Sequence, residues 1–199
     1  MTLSNLPPVL EELIEEFSRL PGIGRKTATR LAFHILKISK EEAQSLAQAI
    51  LKTKEKIHFC RICFNLSETE VCSICTDKNR NSQQICVVED ASSILMIEKT
   101  NEYHGVYHVL GGVISPLDGI GPDDLRIKEL LQRLKGREEV ILALNPSTEG
   151  EATSIYLSHL LKPMGVKITR LARGIPLGST LEFVDELTLG KALKSRREI

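Results

Sequence analysis

Four of the five cysteines in this 199-residue chain fall within sixteen residues, in "CRICFNLSETEVCSIC" from Cys60 to Cys75. They form two C-x-x-C pairs with eight residues between them. Each pair presents two thiolates from one tight turn, and two such turns close the four sulfur bonds of a tetrahedral zinc ion. Cys60, Cys63, Cys72 and Cys75 are therefore the expected ligands of one zinc per chain. Four protein ligands leave no position for water or substrate, so the zinc is expected to be structural. So short a segment, with Phe64, Leu66, Val71 and Ile74 as its apolar content, cannot build its own core. Metal binding supplies the missing folding energy. A redox dithiol is the competing reading, but such motifs rarely come doubled. Cys86 sits in an apolar run and reads as a small buried hydrophobe.

No apolar run approaches the roughly 18 residues of a membrane helix. The opening "MTLSNLPPVLEELIEEF" is acidic and lacks a basic-then-apolar leader pattern, which predicts a cytoplasmic protein. In that compartment thiols stay reduced, which again favours metal over disulfides. Aromatic residues are 4% of the chain and tryptophan is absent, so base stacking is not expected as the main mode of nucleic-acid contact.

Lys+Arg and Asp+Glu both number 26, but their distribution is uneven. Phe17 to Lys40 carries Arg19, Arg25, Lys26, Arg30, Lys37 and Lys40 without an acid. Ala152 to Leu181 carries Lys162, Lys167, Arg170 and Arg173, again without one. A neutral total argues against tight DNA binding by a single copy, while local basic stretches allow weak phosphate contacts. For the second stretch, a solvated helix face is an equally good reading.

Helical periodicity marks Leu10, Leu13, Ile14, Phe17 and Leu20, then Ala28, Leu31, Ala32, Ile35 and Leu36. "SKEE" at Ser39–Glu42 reads as a capping box opening a third helix through Ala43, Leu46, Ala47, Ile50 and Leu51. The polar run Asp77–Gln84 reads as a boundary. Beyond it, strands are predicted at 85–88, 106–110, 140–144 and 166–171, with helical stretches at 123–135 and 151–161. Continuously apolar strands alternating with helices indicate a parallel sheet covered on both faces. The expected class is multidomain α/β: an α-helical domain at 1–56, a zinc module at 57–78, an α/β domain at 83–178 and a C-terminal segment at 179–199.

Within "LPGIGRKTATRLAFHIL", Gly22 and Gly24 shape a turn that ends at a helix N-terminus. Glycines let a ligand approach the backbone, and the free N–H groups of the first turn face an anion placed there. Lys26 and Arg30 are four residues apart and share a face, with Arg25 beside them. Together these residues make a phosphate clamp that reads no bases. An ordinary helix-to-helix turn with solvated charges is the plainer alternative. The absence of acids across the window favours the clamp.

Glu89 and Asp90 follow the first strand of the sheet, and Asn145, Glu149 and Glu151 follow the third. Ligands of open α/β sheets gather at the carboxyl ends of strands, where two acidic groups offer a Mg²⁺ site. The layout is similar to a Toprim domain, whose pattern is a glutamate after the first strand and Asp-x-Asp after a later one. Glu149-Gly150-Glu151 is taken as standing in the Asp-x-Asp position, which puts catalysis in doubt. The acids then read as a docking surface, or as first-turn residues that stabilise a helix N-terminus.

The order of helix-hairpin-helix, four-cysteine module and Toprim-like domain, closed by "TRLARGIPLGSTLEFVDELTLGKAL", resembles the bacterial recombination mediators of the RecR family over essentially the whole chain. That resemblance implies a non-enzymatic DNA-repair protein forming tetrameric rings. It also implies partnership with RecO, and with RecF in many bacteria, in loading recombinase onto gapped DNA. A Walker-B-like stretch is implied near Leu181–Asp185, but no G-x-x-x-x-G-K-[ST] loop exists to hydrolyse ATP. The main alternative is a Mg²⁺-dependent Toprim nuclease or primase-like enzyme. A second is a zinc-stabilised scaffold without DNA contact. For self-assembly the candidate patches are Leu10, Leu13, Ile14 and Phe17, and the tail residues Leu181, Phe183, Val184, Leu187, Leu189 and Leu193, although either patch can also pack within its own chain.

Overall fold

The computed structural model describes residues 6–172 and 174–196. Arg173 of the second basic stretch lies outside the described residues, as do both extreme ends of the predicted terminal domains. The chain divides into two compact units, Met1–Ile57 and His58–Ile199.

The N-terminal unit consists of α1 (Pro8–Ser18), α2 (Arg25–Ile35) and α3 (Lys40–Lys56). Prolines open α1, where a missing N–H costs nothing. Leu10 and Ile14 of α1 bury against Ala28 and Ala32 of α2, and the alanines let the two helices approach closely. Two members of the first assembly patch are thus consumed within their own chain. The capping box forms as expected: Glu42 N–H donates to Ser39 Oγ at 3.1 Å, and Ser39 N–H donates to Glu42 Oε2 at 2.9 Å. α3 nevertheless buries no residue. Its Leu46, Ile50 and Leu51 are 45%, 57% and 60% exposed.

The second unit opens with the zinc module: β1 (His58–Phe59) and β2 (Leu66–Ser67), paired antiparallel, and the short helix α4 (Ser73–Thr76). The rest is β3 (Asn81–Val88), α5 (Ala91–Glu98), β4 (Gly105–Val109), α6 (Ile127–Gln132), β5 (Glu139–Leu142), α7 (Thr148–Leu161), β6 (Lys167–Arg170) and α8 (Glu186–Lys194). The four long strands form one parallel sheet in the order β4-β3-β5-β6. β3 begins inside the polar run read as a boundary, because Asn81 N–H donates to His104 O and Gln84 pairs with Glu139 across the sheet.

The pleat explains why the second half of β3, Ile85–Val88, is apolar without interruption. Ile85 and Val87 face one layer with Leu110, Val140, Leu142, Leu130, Leu157 and Leu161. Cys86 and Val88 face the other, with Ile94, Tyr107 and Val109. Phe64 and Ile74 of the zinc module pack against this second layer, so the module borrows the core it cannot build alone. Cys86 is the buried small hydrophobe expected, and burial pushes its thiol up to about 12.

α5 has four consecutive apolar residues instead of a clear helical stripe, and no helix was predicted there. In the C-terminal segment Leu181, Phe183, Leu187 and Leu193 are all exposed, as is Leu177.

Candidate metal centre, phosphate clamp and acidic strand ends

The four cysteines converge, with one Sγ from each lying within 4.8 Å of all the others. Cys60, Cys63 and Cys72 are buried, Cys75 is half-buried, and none is in a disulfide. The 3.5 Å separation of Cys63 and Cys72 Sγ is close to the ~3.8 Å edge of a tetrahedron with Zn–S bonds of about 2.3 Å. Local structure makes each knuckle. Phe64 takes a left-handed backbone at φ 64°, closing the first turn so that its N–H donates to Cys60 O at 2.9 Å. Cys72 caps α4, which brings Cys75 back beside it.

Burial alone would raise the Cys60 thiol, but N–H groups of Cys72, Cys63 and Ile62 aimed at its sulfur hold it at about 6. Cys63 is pushed up by its hydrogen bond with Cys75 and by burial, and burial pushes Cys72 up to about 11. Four soft sulfur donors in this compact arrangement suit Zn²⁺, which holds them as thiolates. The chain carries a structural zinc site of four cysteines, one per chain.

At the glycine turn, Gly22 has φ 77° and Gly24 caps α2 in an extended conformation. A Cβ at either position would meet nothing within 4 Å. Lys26 and Arg30 line an open groove of about 530 Å³ with Thr27, Thr29, Phe33, His34 and Lys37. No acid lines it. Arg25 stands apart, its guanidinium 3.2 Å from Glu11 Oε1 on α1. Sequence reasoning singled out Lys26 and Arg30 but missed that Lys37 and His34 extend the same stripe. The signal was present, since Lys37 stands just past the end of α2 in the same acid-free window.

The acids at the strand ends do not act as one group. Glu89 is 8% exposed, and its two oxygens accept from Asn145 N–H at 2.7 Å and Asn145 Nδ2 at 2.6 Å. Gly150 closes over this pair: a Cβ there would lie 2.1 Å from Asn145 O and 3.1 Å from Glu89 Oε1. The residue that meets Glu89 is thus Asn145, not Glu149 or Glu151. Those two occupy the first turn of α7, opened by Ser147, whose Oγ accepts from Gly150 N–H. Glu149 is half-buried, and Glu151 lies 3.1 Å from Arg170. Asp90, at the start of α5, is exposed. Among the described residues, the cysteines are the one group of three or more metal-type ligands gathered this closely.

Four known families match successive stretches of the chain. Residues 10–54 match the helix-hairpin-helix family of RecR, and residues 57–77 match the RecR zinc finger domain of four cysteines. Residues 83–172 match the Toprim domain, and 174–197 match the RecR C-terminal family. A Recombination protein RecR of Acidothermus cellulolyticus is 55% identical over 193 residues, covering 96% of this chain and 97% of that one. The chain belongs to the RecR family. Recombination protein RecR of Chloroherpeton thalassium is 54% identical over 198 residues, covering 96% of this chain and 97% of its own. That of Myxococcus xanthus is 53% identical over 195 residues, covering 97% and 99%. Membership in the RecR family places the chain in DNA recombination and repair. No helix among the described residues is long and apolar enough to cross a membrane.

Proposed function

We propose that this chain is a non-enzymatic recombination mediator of the cytoplasm that holds DNA by its phosphates, without regard to sequence. The observation that carries the reading is the groove along α2 and the turn that follows it, where Lys26, Arg30 and Lys37 line an acid-free surface. Nothing in the chain's own packing requires glycine at position 24: its φ is −77° and the space beside it is empty. A phosphate backbone approaching the first turn of α2 gives that glycine a purpose. Gly22, Gly24, Lys26 and Arg30 form the clamp, and Arg25 contributes by steadying α1 through Glu11.

One clamp on a neutral chain binds weakly, and several around a closed ring gain by avidity. A tetramer is the assembly we propose, supported by the apolar residues left exposed on α3 and in the C-terminal segment. In this reading the modules are 1–56, 57–78, 83–178 and 179–199. Asp90, Glu149 and Glu151 offer acidic charge to a basic partner, RecO, and RecF joins in loading recombinase at gaps. Glu89 is buried and supports that surface from beneath. Its engagement by Asn145 favours a non-catalytic role over Mg²⁺ chemistry.

The test is a DNA-binding titration across salt concentrations. Lys26→Ala with Arg30→Ala should weaken binding to all sequences alike, and should make the slope of log K against log salt shallower by about 1–2. Unchanged binding by the double variant refutes the clamp. Mg²⁺-dependent cleavage of DNA that is lost in Glu89→Gln refutes the non-enzymatic assignment.

A further inference from the structure

Arg133, the residue that ends α6, is a cation whose counter-charge is missing from the protein's carboxylates. Its Nη1 donates to Tyr107 O at 2.8 Å and to His108 Nδ1 at 3.0 Å. Both partners are neutral. His108 accepts at Nδ1, and its Nε2 lies 2.7 Å from Arg126 O, so the ring is the neutral tautomer that donates from Nε2. Burial, with the charges of Arg133 and Arg126, holds that imidazole down at about 4. Arg133 Nε is buried without any partner. Among the described residues no carboxylate lies within ion-pair distance of Arg133. Arg133 is half-buried as a whole, arginine does not give up its proton in proteins, and a charge withdrawn from water without compensation is unfavourable.

A charge of the opposite sign belongs to the metal centre. Four thiolates and one Zn²⁺ carry a net charge of −2. Burial lowers the affinity of Arg133 for its proton, and the sulfurs of Cys75, Cys63 and Cys60, when ionised, oppose that effect. The surrounding contacts hold the two parts in register. Val109 N–H donates to Cys63 O at 2.8 Å, so the first knuckle hangs from the strand whose carbonyl at Tyr107 fixes Arg133. Phe64, next to Cys63, meets the His108 ring edge-on at 5.5 Å. Arg126 covers the rings of Phe59 and Phe64 at 4.5 and 4.7 Å, adding a second cation on the same side of the module.

We propose that Arg133 is the counter-ion of the zinc tetrathiolate, a positioning residue supplied by the sheet domain that sets how tightly the zinc module keeps its metal. The juxtaposition joins the four-cysteine centre at residues 60–75 to a cation nearly sixty residues later in the chain.

The experiment is a zinc titration of the full-length chain in competition with a chromophoric chelator. Arg133→Met should weaken zinc binding about 10–100-fold, the range for groups just outside a metal's ligands. Arg133→Lys, which keeps the charge but not the planar fork, should recover most of that loss. Arg61→Gln, an exposed change in the same module, should bind zinc as the unaltered protein does. If Arg133→Met does not fold, Arg133→Gln replaces it, because it keeps an N–H for the Tyr107 carbonyl. Zinc affinity unchanged by loss of the charge overturns the proposal. So does an Arg133→Lys protein as weak as the neutral variants, because the role is then confined to the hydrogen bonds at Tyr107 and His108.

Discussion

β3 and α3 treat similar apolar sequence in opposite ways. Ile85, Val87 and Val88 of β3 are fully buried and Cys86 nearly so, between two layers of the same unit. Leu46, Ile50 and Leu51 of α3 follow an equally regular helical pattern, yet each remains about half exposed. A periodic apolar face therefore says that a surface is to be covered, not that its own chain covers it. Substitutions in the sheet unit should register as lost stability, whereas substitutions on α3 should register as lost association.

The largest effect is expected at the zinc. Cys72→Ser removes one thiolate and frees Phe64 and Ile74 from the sheet, forfeiting metal-binding energy on the order of 10 kcal/mol. Metal analysis and thermal unfolding should show zinc lost and the sheet unit destabilised, with the helices of the N-terminal unit retained. If the sheet unit melts unchanged, the zinc module is not part of its core.

Gly150→Ala comes next. Its Cβ would fall 2.1 Å from a backbone oxygen, so the start of α7 must move off the Glu89–Asn145 pair. Denaturant unfolding should show a loss of roughly 1–3 kcal/mol. A neutral result would mean that the loop at Asn145 yields freely.

A smaller, pH-dependent effect is expected at Arg80. Its guanidinium grips both oxygens of Glu98 and the Gly105 carbonyl, and Tyr107 Oη donates to the same carboxylate at 2.6 Å. Arg80, opposed by burial and helped by Tyr107, holds the Glu98 carboxyl below its ordinary value of 4.5. A depressed carboxyl contributes stability above that value and loses it as pH falls through the folded pKa. Partial exposure screens the pair, so Arg80→Met should cost about 1–2 kcal/mol at neutral pH. That cost should shrink on acidification below about pH 4.5. An equal cost at pH 3 and pH 7 would assign the role of Arg80 to the Gly105 carbonyl alone.

On α3, Ile50→Glu should change the stability of the isolated chain by no more than about 0.5 kcal/mol. Light scattering should nevertheless show a smaller assembly. Stability lost with the assembly unchanged would break the contrast between the two regions.

Features whose parts lie close together in sequence were legible without the structure. The two C-x-x-C turns specify their own ligand set, and Ser39 and Glu42 satisfy each other across one turn. Gly22 needs only its own backbone to mark the bend before α2. The parallel sheet was also legible, because strands buried on both faces must be apolar throughout. α5 was not, because four consecutive apolar residues carry no helical period. The pairing of Glu89 with Asn145 was not legible, because spacing in sequence does not reveal which residue of a loop turns inward.

The sequence by itself therefore determined the modules and the zinc ligands, since local spacing and short-range hydrogen bonding suffice for both. Only the tertiary structure decided that Asn145 takes both oxygens of Glu89, that Leu10 and Ile14 are buried while α3 is left uncovered, and that Arg133 shares its surroundings with the cysteines. Each of these depends on segments that meet through the packing of helices or of the parallel sheet. Burial and partial charge at such meetings are properties of three-dimensional proximity, which no local pattern encodes.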